Sequence, residues 1–318
     1  MSTAIEWTDE TWNPVTGCDH TSPGCDNCYA LKLAGRLKRM GQPNYQADGD
    51  PRTSGPGFGV TCHPHMLDQP LRWRRPRRIF VCSMADLFHP EVPEGFIGDV
   101  FDIMGRCPQH TFQVLTKRPQ RMRTVLEQWA GHGGMWRRSD LMWCGGGGTP
   151  WPLPNVWLGV SIESDSYTFR ADHLRATPAA VRFVSAEPLL GPLPSLDLAG
   201  IDWLIVGGES GPGARPMHPD WARDLRDRCE RTWGYCDDGQ GDECCDAAPH
   251  PGTAFLFKQW GEYGPAERIT NTGAERDGRT VKEWIDYGPG DYHARFGKKA
   301  AGRMLDGRTW DEFPEVRS

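Results

Sequence analysis

Cys18, Cys25 and Cys28 lie in the run GCDHTSPGCDNCYA, with the spacing C-x6-C-x2-C. Three thiolates on one short loop are soft anionic ligands, the kind that hold iron–sulfur clusters or zinc. On a [4Fe-4S] cluster they would occupy three irons and leave the fourth open to bind a small molecule and react. The x2 gap places Cys25 and Cys28 on one tight turn, and Pro23 and Gly24 let the x6 arm fold back so that Cys18 joins them. A helix starting just after Cys28 would point its positive end at the anionic sulfurs. Zinc is the competing occupant, since His20 lies inside the loop and Cys3His sites are common. A loop opening onto the active face of a barrel is an odd address for a structural zinc.

The elements that must position this loop are short apolar runs ending in polar residues. They are IFVCSMAD (79–86), TFQVLTKR (111–118), VWLGVSIE (156–163), VRFVSAEP (181–188), WLIVGGES (203–210) and AFLFKQWG (254–261). Their length and branched or aromatic content suit strands buried on both faces. Apolar residues at helical spacing mark helices over 94–106 and 219–233, and 30–40 reads as a helix directly after the cysteines. Strands alternating with helices predict an α/β fold of parallel βαβ units, a (β/α) barrel or partial TIM-type barrel, with a weak strand before Cys18. Polar side chains collect at the strand ends: Asp86, Lys117, Arg118, Ser161, Glu163, Glu187, Glu209, Ser210 and Lys258. In barrels that end is the active face. Residues 1–265 are expected to form this domain, with loop insertions at 41–62, 132–154 and 234–252. Residues 266–318 are a polar extension with no obvious place in the barrel.

The chain has 318 residues, 11 cysteines and a formal net charge of −6. That charge argues against a general nucleic-acid coat but permits a local basic patch. The run RWRRPRR (72–78), five arginines around Trp73, suits phosphate contact with stacking, or equally a solvated edge before a strand. No apolar run approaches the about 20 residues of a membrane helix, and MSTAIEWTDE has no apolar core. The expected location is therefore the cytoplasm (the host's, if phage-encoded), where cysteines serve metals or redox chemistry more than disulfides. Cys229, Cys236, Cys244 and Cys245, with His250 near, have spacing that a second metal could use. Glu187 and Glu209 could receive substrate polar groups or relay a proton. Arg215, past a glycine-rich turn, could grasp an anion, as could Lys117 and Arg118.

The segments IEWTDETWNPVTGC, SPGCDNCYA, SMADLFHP, FQVLTKRP, NVWLGVSIE, RFVSAEPLLGP, VGGESGPGARPMHPDW and FKQWGE carry a resemblance over residues 5 to about 263. The chain resembles the phage and bacterial three-cysteine-motif proteins, a phage protein family of unknown function (DUF5131-like) that is similar to radical S-adenosylmethionine (SAM) enzymes. Here the first cysteine gap is six rather than the superfamily's three, and the aromatic Tyr29 follows the last cysteine instead of preceding it.

The resemblance implies a radical SAM enzyme of isomerase or lyase type on a radical SAM-like barrel. Cys18, Cys25 and Cys28 would ligate the [4Fe-4S] cluster, whose open iron would chelate SAM. One electron, from a flavodoxin- or ferredoxin-type donor, would yield a 5′-deoxyadenosyl radical that abstracts hydrogen from the substrate. By strand counting, Ser83 and Asp86 would meet the methionyl amino group, and Ser161 and Glu163 the ribose. Lys117, Glu187 and Glu209 are the expected catalytic residues. The phage association and the arginine run favour DNA or a nucleotide as substrate, as in a hypermodified thymine base flipped out of the duplex. The rivals are a zinc-stabilised nucleic-acid-binding protein without catalysis and a repair enzyme of the DNA-photoproduct lyase type.

Overall fold

A computed structural model describes residues 3, 5–130, 151–231 and 252–315. They form two compact units, Met1–Ser161 with Phe169–Phe183, and Ile162–Thr168 with Val184–Ser318. The first holds β1 (Glu10–Trp12), β2 (Val15–Thr16), α1 (Tyr29–Arg39), β3 (Thr61–Cys62), β4 (Arg78–Val81), α2 (Glu94–Gly105), β5 (Thr111–Thr116), α3 (Pro119–Ala130), β6 (Val156–Ser161) and α4 (Phe169–Ala176). Strand β7 (Val181–Ala186) runs across the boundary. The second unit holds β8 (Trp203–Gly207), α5 (Pro219–Arg231) and β9 (Ala254–Gln259). It continues with β10 (Gly264–Pro265), β11 (Arg268–Thr270), β12 (Gly273–Arg276), β13 (Arg279–Val281), β14 (Trp284–Asp286), β15 (Tyr292–Ala294) and α6 (Lys298–Ala301).

The fold is mixed α/β around a seven-stranded sheet of order β1-β4-β5-β6-β7-β8-β9. Pairing is parallel at β1–β4, β4–β5 and β5–β6 in the first unit and at β8–β9 in the second. Every residue of β6 and β8 is buried, as expected for Val-, Leu- and Trp-rich strands covered on both faces. Gly159 in β6 leaves room for the Phe183 ring, which comes within 2.4 Å of where a Cβ would stand. On α2, Ile97, Val100, Phe101 and Met104 form one buried stripe, each worth about 2 kcal/mol over exposure. The order has two ends, and the β9 end is capped by the chain's own later residues rather than by a further parallel strand. Leu256 bridges Asp311 antiparallel, and Phe257 N–H donates to Trp310 C=O at 3.0 Å.

All six expected strands are present, each ending two to five residues earlier than the apolar run read with its polar tail. After Val81 the chain turns at once: Cys82 takes a positive φ of 59°, and Ala85 N–H bonds back to Cys82 C=O. Helices α1, α2 and α5 match the periodic segments; α3 and α4 were not expected. Helix α3 begins at Pro119, a favoured first position, and buries Met122, Val125 and Leu126. The expected insertions at 132–154 and 234–252 fall largely outside the described residues, as do Cys236, Cys244, Cys245 and His250. Among the described residues no helix is long and apolar enough to cross a membrane.

Candidate metal centre

The cysteine loop lies past the C-terminal ends of neighbouring parallel strands. Gly17 bridges Ala85 in parallel, so Cys18 and Asp86 follow adjacent chain positions. Arg118 follows β5, the next strand over. Gly17 has φ of +89°, and a Cβ there would lie 2.2 Å from Gly59 C=O, so only glycine fits. Cys18 N–H donates to Phe58 C=O at 3.3 Å, and β2 pairs with β3. Residues 41–62, read from sequence as an inserted loop, therefore brace the cysteine loop. Cys28 is the N-cap of α1, which places the helix's positive end at the last thiol. Cys18 and Cys28 pack on one buried cluster of Ala30, Ala34, Phe58 and Met84.

Around Cys18 the charges are ordered. Asp86, buried, accepts from Thr116 Oγ1 at 2.7 Å, Phe88 N–H at 3.0 Å, Lys117 N–H at 3.1 Å and Arg118 Nη1 at 3.0 Å. Arg118 Nη1 also donates to Cys18 Sγ at 3.4 Å, and Nη2 to Asp19 C=O at 3.4 Å. Burial pushes the Cys18 thiol up to about 12; Asp86 adds to the rise and Arg118 opposes it. Asp19 accepts from Ser54 Oγ at 2.9 Å and Thr53 Oγ1 at 3.0 Å, and faces His89 Nε2 at 3.0 Å. Burial works to raise its pKa, but these partners outweigh it and hold the carboxyl below its usual range.

Two observations test what three thiols here could hold. Ser22, within the loop, has a buried hydroxyl with no protein partner, and a sulfide or thiolate would accept its hydrogen bond. Tetrahedral zinc with Zn–S of about 2.3 Å holds its sulfurs about 3.8 Å apart. Among the described residues, the three ligand atoms that all fall within 4.8 Å of one another belong to Asp19, His89 and Glu91, not to the cysteines. Three thiolates can each take a different iron of one cluster and leave the fourth iron open.

The other expected residues separate into kinds. Ser83 Oγ bonds Asn13 Oδ1 at 3.2 Å, and its C=O accepts from Tyr29 O–H at 2.6 Å, next to the loop. Asp86, expected to meet a cofactor, has both oxygens on protein donors. Lys117 is half-buried, its N–H on Asp86. Ser161 and Glu163 are buried, Ser161 C=O accepting from Arg170 Nη1 at 2.7 Å and Glu163 C=O from Leu190 N–H at 2.8 Å. In the second unit Glu187 takes Lys258 Nζ at 2.6 and 2.8 Å. Glu209 receives Arg215 Nη2 at 2.6 Å and Nε at 2.9 Å, so Arg215 already holds an anion of the chain itself. Cys229 is buried in α5, where desolvation raises its pKa.

The arginine run does not serve the loop. It leads into β4, at the opposite end of the strands, and Arg72 pairs with Asp68, Arg77 with Glu10 and Arg78 with Asp9. Sequence reasoning missed the Arg118–Cys18 contact and the bracing role of 41–62. One signal was readable: opposite charges, Asp86 and Arg118, just past adjacent buried strands.

The family model described as "Protein of unknown function (DUF5131)" matches residues 2–234 and 241–314. The chain belongs to that family. No curated protein matches it. Among solved structures, a mutant of spore photoproduct lyase is 12% identical with a TM-score of 0.35, over 70% of this chain and 62% of that one. Spore photoproduct lyase complexed with dinucleoside spore photoproduct is 12% identical with a TM-score of 0.34, over 70% and 61%. The match spans less than two thirds of either lyase. Likeness at this level carries no argument about activity, so the site's chemistry must carry it.

Proposed function

We propose that this member of the family is a radical SAM enzyme, with a [4Fe-4S] cluster on Cys18, Cys25 and Cys28, in a radical SAM-like partial barrel. The observation that supports it most is the set of three thiols on the loop past the strand ends, with the Arg118 guanidinium on Cys18 Sγ and the buried Ser22 hydroxyl within the loop. When bound, such a cluster with SAM supplies one-electron cleavage of the sulfonium and hydrogen abstraction from an unreactive carbon.

The chain's own residues supply holding and shielding. The N-terminus of α1 favours the anionic group, and the Gly17–Gly59 contact fixes the loop. Ser83, beside Tyr29, is the group we assign to SAM's polar end, with Asp86 setting the position of its neighbours. Ser161 and Glu163 remain the proposed ribose contacts, and Lys117, Glu187 and Glu209 the proposed catalytic groups. A nucleic-acid base is the substrate to test first, with a flavodoxin- or ferredoxin-type protein as electron donor. In the arginine run Arg72, Arg77 and Arg78 pair within the chain, and Arg74 and Arg75 are exposed.

Anaerobic reconstitution with iron and sulfide should give a brown protein that forms 5′-deoxyadenosine from SAM and dithionite. Cys28→Ala should lose both colour and product. Zinc alone in oxygen-free wild-type material, or full activity in Cys28→Ala, would remove the ligand assignment.

A further inference from the structure

Arg118 brings a cationic donor to a loop sulfur, and it is fixed there from several sides. Its N–H donates to Thr116 Oγ1 at 2.9 Å, and Thr116 Oγ1 in turn donates to Asp86 Oδ1 at 2.7 Å. Arg118 Nη1 is shared between Asp86 Oδ2 at 3.0 Å and Cys18 Sγ at 3.4 Å. The side chains of the pair are only 13% and 7% exposed, so solvent screens the contact little. Charge and geometry are therefore preset by three consecutive residues, 116–118, and one carboxylate.

We propose that Arg118, with Asp86 as its positioning partner, tunes the reduction potential of the cluster by its hydrogen bond to the Cys18 thiolate. The inference rests on the cluster reading above and adds a role for a residue the ligand set does not include. The physical reason is differential: one added electron makes the cluster more negative, and a cationic N–H on a ligand sulfur stabilises that state more than the oxidised one. The bond thus raises the midpoint potential, and it acts at Cys18. Arg118→Met alone is ambiguous, because it leaves Asp86 as an unpaired buried anion whose own field lowers the potential. Arg118→Met with Asp86→Asn removes both charges and isolates the bond.

The test is a redox titration of the reconstituted cluster, followed by the electron paramagnetic resonance signal of its reduced form, in wild type and the double variant. The double variant should show about a tenfold smaller reduced-to-oxidised ratio at fixed applied potential, equivalent to a midpoint about 59 mV lower for one electron. Arg118→Lys, which keeps the charge but loses the fork, should fall between the two. Iron content checks that each variant has loaded. A double variant that loads its cluster and titrates like wild type overturns this inference and leaves the cluster reading standing. Wild-type protein that takes up no cluster overturns both.

Discussion

The charges around Cys18 and those around Glu209 both rest on a buried carboxylate, but Arg118 is 13% exposed and Arg215 35%. In the second unit Glu209 faces Arg215 and Glu187 faces Lys258. In the first, Arg118 Nη1 is shared between Asp86 and the Cys18 sulfur. A pair that also offers its donor to a soft ligand prepares a place for something else. The difference sets the cysteine loop apart from the acidic strand ends.

The comparison can be broken hardest at Gly17. Gly17→Ala places a methyl 2.2 Å from Gly59 C=O at a positive φ, a strain of about 2 kcal/mol or more, so iron occupancy of the reconstituted protein should fall at least about tenfold. Circular dichroism should stay near wild type; normal iron content would show that the brace is dispensable. In the second unit, a pH titration of stability should report His293, buried against Trp260 with its pKa lowered by desolvation to about 4 from 6.5. The unfolded chain takes up that proton first as pH falls. Stability is thus full above about 6.5, drops by about 3 kcal/mol on the way to about 4, and is flat below from this group. His293→Phe should remove that step from denaturant midpoints.

Glu209→Gln should cost about 2 kcal/mol, discounted because Arg215 is one-third exposed, without changing iron content. A loss of the cluster in Glu209→Gln would mean that the two regions are not separable as argued. The smallest effect is expected at the arginine run. Arg72→Ala breaks an exposed pair worth at most about 0.5 kcal/mol and should leave iron content, and any affinity for single-stranded DNA, unchanged. A clear loss of DNA binding would restore the run as an interface.

Much of this was legible in the sequence because buried strands announce themselves. VWLGVS and WLIVG are apolar at every position needed to pack on two faces. The cysteine loop was legible by spacing and by the helix that follows it. Helix α4 was not, since its short run FRADHLRA buries an arginine, which no apolar periodicity signals. Nor was the role of 41–62, because Gly17 and Gly59 are far apart in the chain and their contact depends on lacking side chains. Arg215 read as a free anion-binding group, whereas Glu209, six residues earlier, is its partner.

The cap on β9 has a consequence for how the chain is made. Its amide and carbonyl groups find residues 310–312 only after the whole stretch 260–309, with its two three-stranded sheets, has been synthesised. On the ribosome, the last strand waits with an open margin. A stalled or clipped product would carry a sticky apolar ribbon, AFLFKQ, ready to recruit a second molecule.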